Sequence, residues 1–256
     1  MFDWGAFTLF LFIAMRMTGF VRFSPIFGRN GIPGFFQGGL ILVLSWTVYS
    51  IYGGTVPPPA TALGLSVKLL MELGVGFLLG TVTRFFFYIP DQAGELIDAQ
   101  MGMSMARTYD PTSQSQATPT ANLLNVLSML LFFAANGHIT LLRIMLTSGD
   151  IAPFGAVMLG PRAAEHVVEL FAECVLLAVK LSLPILGAEL LGQVGMGVLM
   201  KAIPQINIFA INIELKVLIG LFMLMFLIAP MSEFLLEAES LMLEELSKAL
   251  SLSAVS

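Results

Sequence analysis

Long apolar runs are the feature that most constrains what this chain can fold into. A helix needs about 20 mostly apolar residues to cross the hydrocarbon core of a membrane. Six stretches offer this, at 4–26, 35–52, 63–89, 123–142, 170–191 and 206–229. Only 11% of the 256 residues are charged, whereas a soluble domain carries roughly 25%. The sequence therefore predicts an all-α, polytopic membrane protein built of long helical hairpins.

Two amphipathic segments accompany these runs. Residues 91–106 place apolar side chains at helical spacing, and this helix is predicted to end near Tyr109, because Asp110 precedes Pro111 and is disfavoured in a helix. The tail, 233–250, has an apolar face formed by Leu235, Ala238, Met242, Leu246 and Ala249, and its acids Glu233, Glu237 and Glu244 lie on another face. Both segments are predicted to be helices at an interface between the protein and water or membrane.

Ionisable residues interrupt the apolar runs. A charge at the centre of a spanning helix costs about 2.5–3.5 kcal/mol, whereas a leucine there contributes only about 0.3–0.6 kcal/mol. The residues expected to be buried charges are Glu72, Glu173, Lys180, Glu189, Glu214 and Lys216. Glu72 shares a helical face with Lys68, four residues before it, and Glu214 lies near Lys216, and these charges likewise need protein partners that pair with them or keep them hydrated. Two explanations fit, ion pairs between packed helices or a polar path for substrate or protons, and both place much of the chain inside a larger assembly.

Residue patterns for catalysis are missing from the sequence. It contains no HExxH motif, no nucleophile elbow and no phosphate-binding glycine loop. The histidines, His138 and His166, have no cysteine or carboxylate at metal-ligand spacing, and the single cysteine, Cys174, lies in an apolar run and is expected to be a packed hydrophobe. No basic patch points to nucleic acid. The chain is therefore predicted to be neither an enzyme nor a cofactor-binding protein.

The most distinctive stretch lies between the third and fourth apolar runs. The amphipathic segment 91–106 leads into a small, polar, uncharged loop that follows Asp110 and Pro111. Met101, Met103 and Met105 cluster just before this loop. Methionine is flexible and polarizable, so it can seal around irregular or moving surfaces. Each methionine alone fits core packing and the loop fits exposure to solvent, but the cluster beside a polar loop also fits a constriction that opens and recloses.

Two sequence blocks carry a resemblance to a known family. Residues 93–102 read Ala-Gly-Glu-Leu-Ile-Asp-Ala-Gln-Met-Gly, and Asp-Pro and Asn-Gly-His follow at 110–111 and 136–138. The second block, 204–209, reads Pro-Gln-Ile-Asn-Ile-Phe. Together they resemble the flagellar biosynthetic protein FliR family, which includes the matching subunit of virulence type III secretion systems. The residues assigned to the family motif and to assembly are Gln100, Gly102, Gly137, His138, Pro204, Gln205, Asn207 and Phe209.

The resemblance implies a role in protein export. An R-type subunit of this family joins P-type and Q-type subunits in a helical hetero-oligomer, the export gate, which works with B-type and A-type export proteins. Unfolded substrates pass through it in the bacterial inner membrane, at the flagellar basal body. Residues 1–256 would form a single export-gate membrane domain, with an amphipathic helix and plug loop at 91–122 and an amphipathic tail at 232–256. The resemblance places the plug at roughly 106–117. With the methionines before it, the residues assigned to the pore and plug are Met101, Met103, Met105, Arg107, Tyr109, Asp110, Pro111, Thr112, Ser113 and Gln114.

Two other functions compete with this interpretation. A small-solute or ion-coupled secondary transporter would explain the charges within the apolar runs and helices broken at Pro184 and Pro204, although no internal repeat is visible. An intramembrane enzyme would need a catalytic pair within the spans. Purification distinguishes a transporter from an export-gate subunit. A transporter is stable alone or as a homo-oligomer, whereas an export-gate subunit co-purifies with partners.

Overall fold

The chain is helical in the computed structural model, which describes residues 3–28, 32–103, 118–202 and 208–254. The helices in these ranges are α1 (Trp4–Phe23), α2 (Gly34–Tyr52), α3 (Ala62–Met101), α4 (Pro119–Ala134), α5 (Gly137–Leu146), α6 (Ser148–Ile151), α7 (Pro161–Ala202) and α8 (Ile208–Ser253). An isolated antiparallel bridge joins Val157 and Ala254. The predicted all-α class is confirmed.

Several of the described helices are long and apolar enough to cross a membrane. Five meet this test alone, at Trp4–Phe23, Gly34–Tyr52, Ala62–Met101, Pro161–Leu199 and Glu214–Ser253, and the broken pair of α4 and α5 can form a sixth. The polytopic prediction is thereby confirmed. Helix α3 has 40 residues, and at about 1.5 Å per residue its length is about twice the roughly 30 Å of a hydrocarbon core. One crossing therefore uses only part of it.

The sequence predicted the two amphipathic segments as helices of their own, but in the structure each continues a longer helix. Residues 91–101 are the last part of α3, which runs through Pro90, and the tail belongs to α8, which runs through Pro230. Helix α7 likewise contains Pro184. Neighbouring helices and side-chain hydroxyls re-satisfy the backbone groups that proline frees, so membrane helices tolerate it. The separation at these prolines was wrong, but the apolar face of the tail is buried as predicted.

The fourth apolar run is interrupted, which the sequence reading missed. Asn136 has a positive φ of 58° and separates α4 from α5. Asparagine is one of the few residues that adopt this left-handed conformation readily. Its carbonyl oxygen accepts the backbone N–H groups of Ile139 and Thr140 and so starts α5. The predicted span 123–142 is therefore two helices.

The chain clusters into two compact units. Unit 1 comprises Met1–Phe86, Asn136–Phe171 and Glu239–Ser256, and unit 2 comprises Phe87–Ala135 and Ala172–Ala238. Helices α3, α7 and α8 each contribute residues to both units. That residues 1–256 act as one export-gate domain stays a prediction.

Helices α1 and α3 cross closely in unit 1. A Cβ on Gly76 would overlap the carbonyl oxygen of Arg16, and one on Gly19 would overlap that of Leu73. Gly80, one turn beyond Gly76, faces Phe23, whose Cβ would lie 2.9 Å from an added Cβ. Small residues spaced four apart let backbones approach in membranes, where dispersion rather than the hydrophobic effect holds helices together. This crossing positions the polar cluster described next.

Candidate functional site

A buried ion pair lies at the α1–α3 crossing in unit 1. The side chains of Arg16 and Glu72 are both fully buried, and the Arg16 Nε donates to a Glu72 carboxylate oxygen at 2.7 Å. The Arg16 Nη1 donates to the hydroxyl of Ser148 at 3.2 Å. The guanidinium carbon lies 4.1 Å from the ring centroid of Phe154, within the range of a cation–π contact. Both charges are therefore compensated inside the chain.

The loop before α7 completes this cluster. The second carboxylate oxygen of Glu72 accepts the backbone N–H of Gly155 at 2.7 Å. Gly155 has a φ of 79°, and a Cβ added to it would lie 2.7 Å from the Phe12 ring. Only glycine fits this position without strain. The hydrogen bond from this N–H to Glu72 therefore depends on glycine at position 155.

The partner of Glu72 lies on a neighbouring helix rather than on its own. Lys68, four residues before it on α3, is exposed, and the cation that Glu72 binds is Arg16 on α1. A buried carboxylate needs a buried partner, and Lys68 lies on the surface of the helix. For Glu72 this geometry favours an ion pair between packed helices over a polar path.

In unit 2, the end of α3 leads toward the predicted plug loop. The Met103 N–H donates to the Asp98 carbonyl oxygen at 2.9 Å, and the Gly102 N–H donates to that of Ala99 at 3.2 Å. Gly102 has a φ of 80°. These are the two bonds of a Schellman motif, with Gly102 as the left-handed residue. Helix α3 therefore stops at Met101, earlier than the predicted end near Tyr109.

The Asp98 side chain holds the start of α4. It is fully buried and accepts the backbone N–H of Thr120 at 2.8 Å and the Thr120 hydroxyl at 2.5 Å. Thr118, the residue that precedes α4, makes no side-chain capping bond. The first N–H groups of a helix lack partners within the helix and favour a negative charge. Asp98 thus caps a helix that starts 21 residues later in the chain.

Two more contacts fix the α3–α4 pair in unit 2. A Cβ on Gly94 would overlap the backbone of Ala121, so the two helices touch there. The Asn125 side-chain amide donates to the Asp91 carboxylate at 2.8 Å. Together with Asp98, these contacts bring the two flanks of segment 104–117 side by side.

The methionines predicted to seal a pore are only partly within the described residues. Met101 is fully buried, and a Cβ on Gly220 of α8 would overlap its sulfur, so Met101 packs between helices of unit 2. Met103 is half-buried in the turn after α3. The remaining residues of the pore and plug prediction lie outside the described residues, namely Met105, Arg107, Tyr109, Asp110, Pro111, Thr112, Ser113 and Gln114.

The other predicted buried charges divide into two groups. Glu189 is fully buried in unit 2, where it interacts electrostatically with Lys216, which is half-buried. Glu173, Lys180 and Glu214 are exposed on this chain. Their side chains project from faces of α7 and α8 that the described residues leave uncovered. Their burial against a partner stays a prediction.

The family-motif residues are spread over both units. Gln100 is half-buried near the end of α3, Gly137 is buried at the start of α5, and His138 beside it is half-buried. Phe209 belongs to the first turn of α8. Pro204, Gln205 and Asn207 lie outside the described residues. Their assembly roles stay predictions.

Sequence reasoning missed the residues that organise both clusters. Arg16 interrupts the first apolar run, and a lone arginine in an apolar helix requires an acidic partner elsewhere, but the sequence did not identify Glu72 as that partner. Asp98 was seen as one acid of an amphipathic helix, although it occurs in the 93–102 block. Thr120 and Gly155 carry no sequence signal of their own. Among the described residues, no group of three or more His, Cys, Asp or Glu side chains is placed to hold a metal ion.

Comparison with known proteins places these features in a family context. Residues 7–241 match the family model described as Bacterial export proteins, family 1. The flagellar biosynthetic protein FliR of Escherichia coli (strain K12) is 28% identical over 232 residues, covering 89% of this chain and 88% of that protein. FliR of Bacillus subtilis (strain 168) is 25% identical and covers 98% and 97%. The Yop proteins translocation protein T of Yersinia pestis is 25% identical and covers 87% of each chain.

Proposed function

The chain belongs to the bacterial export proteins, family 1, and we propose that it is a membrane subunit of the flagellar type III protein export gate. The family match over residues 7–241 carries this proposal. The flagellar relatives align over most of their own length, so the likeness concerns whole proteins rather than one shared segment. The location that follows is the bacterial inner membrane, at the flagellar basal body.

The chain would act together with other export proteins. Its partners are P-type and Q-type subunits in the gate and B-type and A-type export proteins beside it, and its cargo is unfolded protein. Glu173, Lys180 and Glu214 support an assembly, because they are exposed within apolar stretches of α7 and α8. A charge that faces lipid is costly, and a neighbouring subunit can pair with it or keep it hydrated.

Within that gate, the segment around 106–117 would act as a plug that blocks the closed pore. Its composition is small and mostly uncharged, so displacing it exposes little apolar surface. The hydrogen bonds between Asp98 and Thr120 support this role, since they hold together the helices on either side of the segment. The base of the plug would then stay fixed while the segment itself moves, and the opening would be steric rather than chemical.

Deletion of residues 112–117 tests the plug. Assembled gates that carry the deletion should conduct ions more readily than wild-type gates in planar bilayers, because the obstruction is shortened. Replacing the same six positions with a Gly-Ser sequence of equal length separates the effect of side chains from that of loop length. Equal conductance of the deletion and the wild type would contradict the plug assignment while leaving the export role intact.

The rival function is a small-solute or ion-coupled transporter. Its main support was the set of charges in apolar runs, and Glu72 no longer belongs to that support because Arg16 compensates it within the chain. Extraction in a mild detergent distinguishes the two functions. Co-purification with P-type and Q-type subunits, together with loss of flagellar protein export when the chain is absent, is expected. A stable homo-oligomer that supports solute uptake, in cells whose export is normal without the chain, would refute the export role.

A further inference from the structure

An apolar groove of about 430 Å³ lies between α3 and the start of α7 in unit 1. Small residues line part of it, namely Gly74, Gly160 and Ala163, and apolar side chains line the rest, including Phe77, Leu159 and Val168. Val168 is 68% exposed and Phe77 is 45% exposed. We refer to this surface as the α3–α7 groove. The described residues of unit 1 leave part of this apolar lining exposed.

The lining of the α3–α7 groove suits a helix. Small residues allow a second backbone to approach closely, as in helix pairs within membranes. Gly160 offers the clearest opening, because a Cβ added to it would meet no atom within 4 Å. Ala164, one turn along α7 from Gly160, is also exposed. An apolar ridge of another helix can therefore enter the groove without displacing any part of this chain.

The charges beside the groove restrict what that helix can be. Glu165 and Glu169 are exposed on α7, one helical turn apart, and they outnumber the exposed Arg162 at the start of the same helix. Glu165 comes three residues before Val168, so the two side chains are neighbours on the helix surface. Carboxylates are costly among lipid tails. A helix with lysine or arginine next to its apolar ridge would compensate both carboxylates.

We propose that the α3–α7 groove docks an apolar helix of a neighbouring membrane protein, and that Lys or Arg residues of this helix pair with Glu165 and Glu169. The inference rests on the proposed function, because it requires a chain that works inside a membrane assembly. It adds the location of one contact and the chemistry of its partner. Unit 1 alone provides the groove and both carboxylates.

Photo-crosslinking in intact membranes tests the docking. A photoreactive amino acid replaces Val168 in the full chain, and the crosslinked peptide is identified by mass spectrometry. The expected adduct is an apolar segment of a different protein with Lys or Arg at its flank. Gly160→Leu fills the groove and should lower the crosslink yield about tenfold or more, because the partner loses its apolar contact area. Glu165→Lys combined with Glu169→Lys should lower it several-fold by charge repulsion.

Matched variants keep this test sharp. Gly34→Leu is the control, since Gly34 starts α2 and an added Cβ there also meets no atom within 4 Å. It should leave the yield unchanged. Ala164→Leu fills the same groove from a second position and replaces Gly160→Leu if that variant does not accumulate in the membrane. Adducts with lipid only, with a second copy of this chain or with a segment lacking basic residues would overturn the proposal, as would a yield that neither groove-filling variant lowers.

Export of flagellar proteins, measured in the same cells, separates the two proposals. If the wild-type chain restores export but the groove-filling variants change neither crosslinking nor export, the docking proposal is wrong and the export role stands. If the wild-type chain does not restore export to cells that lack it, the export role itself fails.

Discussion

Replacing Asp98 with alanine should release the start of α4, because one buried carboxylate provides the acceptor for both the N–H and the hydroxyl of Thr120. A hydrogen bond to a charged group contributes about 1.5–3 kcal/mol, so the loss of two amounts to roughly 3–6 kcal/mol. Thr120 is itself buried, so water does not easily replace the lost acceptor. Asp98→Asn keeps one acceptor oxygen and should lose about half as much.

Hydrogen exchange measures this effect where it arises. At about 1.4 kcal/mol per tenfold change, a loss of 3 kcal/mol accelerates exchange of the Thr120 amide by roughly 10²-fold. Unfolding of unit 2 can be followed separately through Cys174, the single cysteine of the chain, which is buried there. A thiol-reactive dye should label Cys174 at a lower temperature in Asp98→Ala than in the wild type. Thr120→Val removes only the hydroxyl, and the double variant isolates the energy of its bond to Asp98.

Asp3 provides the matched control. It caps α1 in the same way, accepting the N–H groups of Gly5 at 2.9 Å and Ala6 at 3.2 Å, but it is exposed. Asp3→Ala should cost only about 0.5–2 kcal/mol, and its effect should stay within the first turn of α1. The argument would be refuted if Asp98→Ala left Thr120 exchange within about threefold of the wild type, or if both aspartates had equal effects.

Three further changes probe the remaining contacts. Arg16→Met leaves Glu72 buried without its cation and should destabilise the protein by about 3–5 kcal/mol, and adding Glu72→Gln should recover part of that lost stability. A double variant that is no more stable in thermal melts than Arg16→Met would contradict the ion pair. Gly94→Ala should cost about 1–3 kcal/mol through overlap with Ala121, and an unchanged Cys174 labelling temperature would argue against close α3–α4 packing. Gly102→Ala should cost about 1–3 kcal/mol through its positive φ alone, so faster amide exchange at the end of α3 is expected, and exchange equal to the wild type would exclude the Schellman motif.

The site could be read from the sequence in outline but not in its pairings. The 93–102 block marked the region where Asp98 and Gly94 later proved important. Glu72 was recognised as a charge that needs compensation, but the sequence did not identify its partner, which lies 56 positions away on another helix. Local spacing favours neighbours on one helix face, whereas the buried position of Glu72 selects a partner from the helix packed against it.

Apolar run length by itself determined that this protein is helical and crosses a membrane. In an apolar medium, a backbone must satisfy its own hydrogen bonds within each segment, so composition and length suffice for that conclusion. The amphipathic period of the tail also determined which of its side chains are buried. Packing decided the rest. Prolines 90, 184 and 230 continue their helices rather than end them, Asn136 interrupts one, and Arg16 and Asp98 bind residues distant in sequence. The pairings of Arg16 and Asp98 depend on which groups meet across helices, and the backbones of those helices approach closely at Gly76 and Gly94.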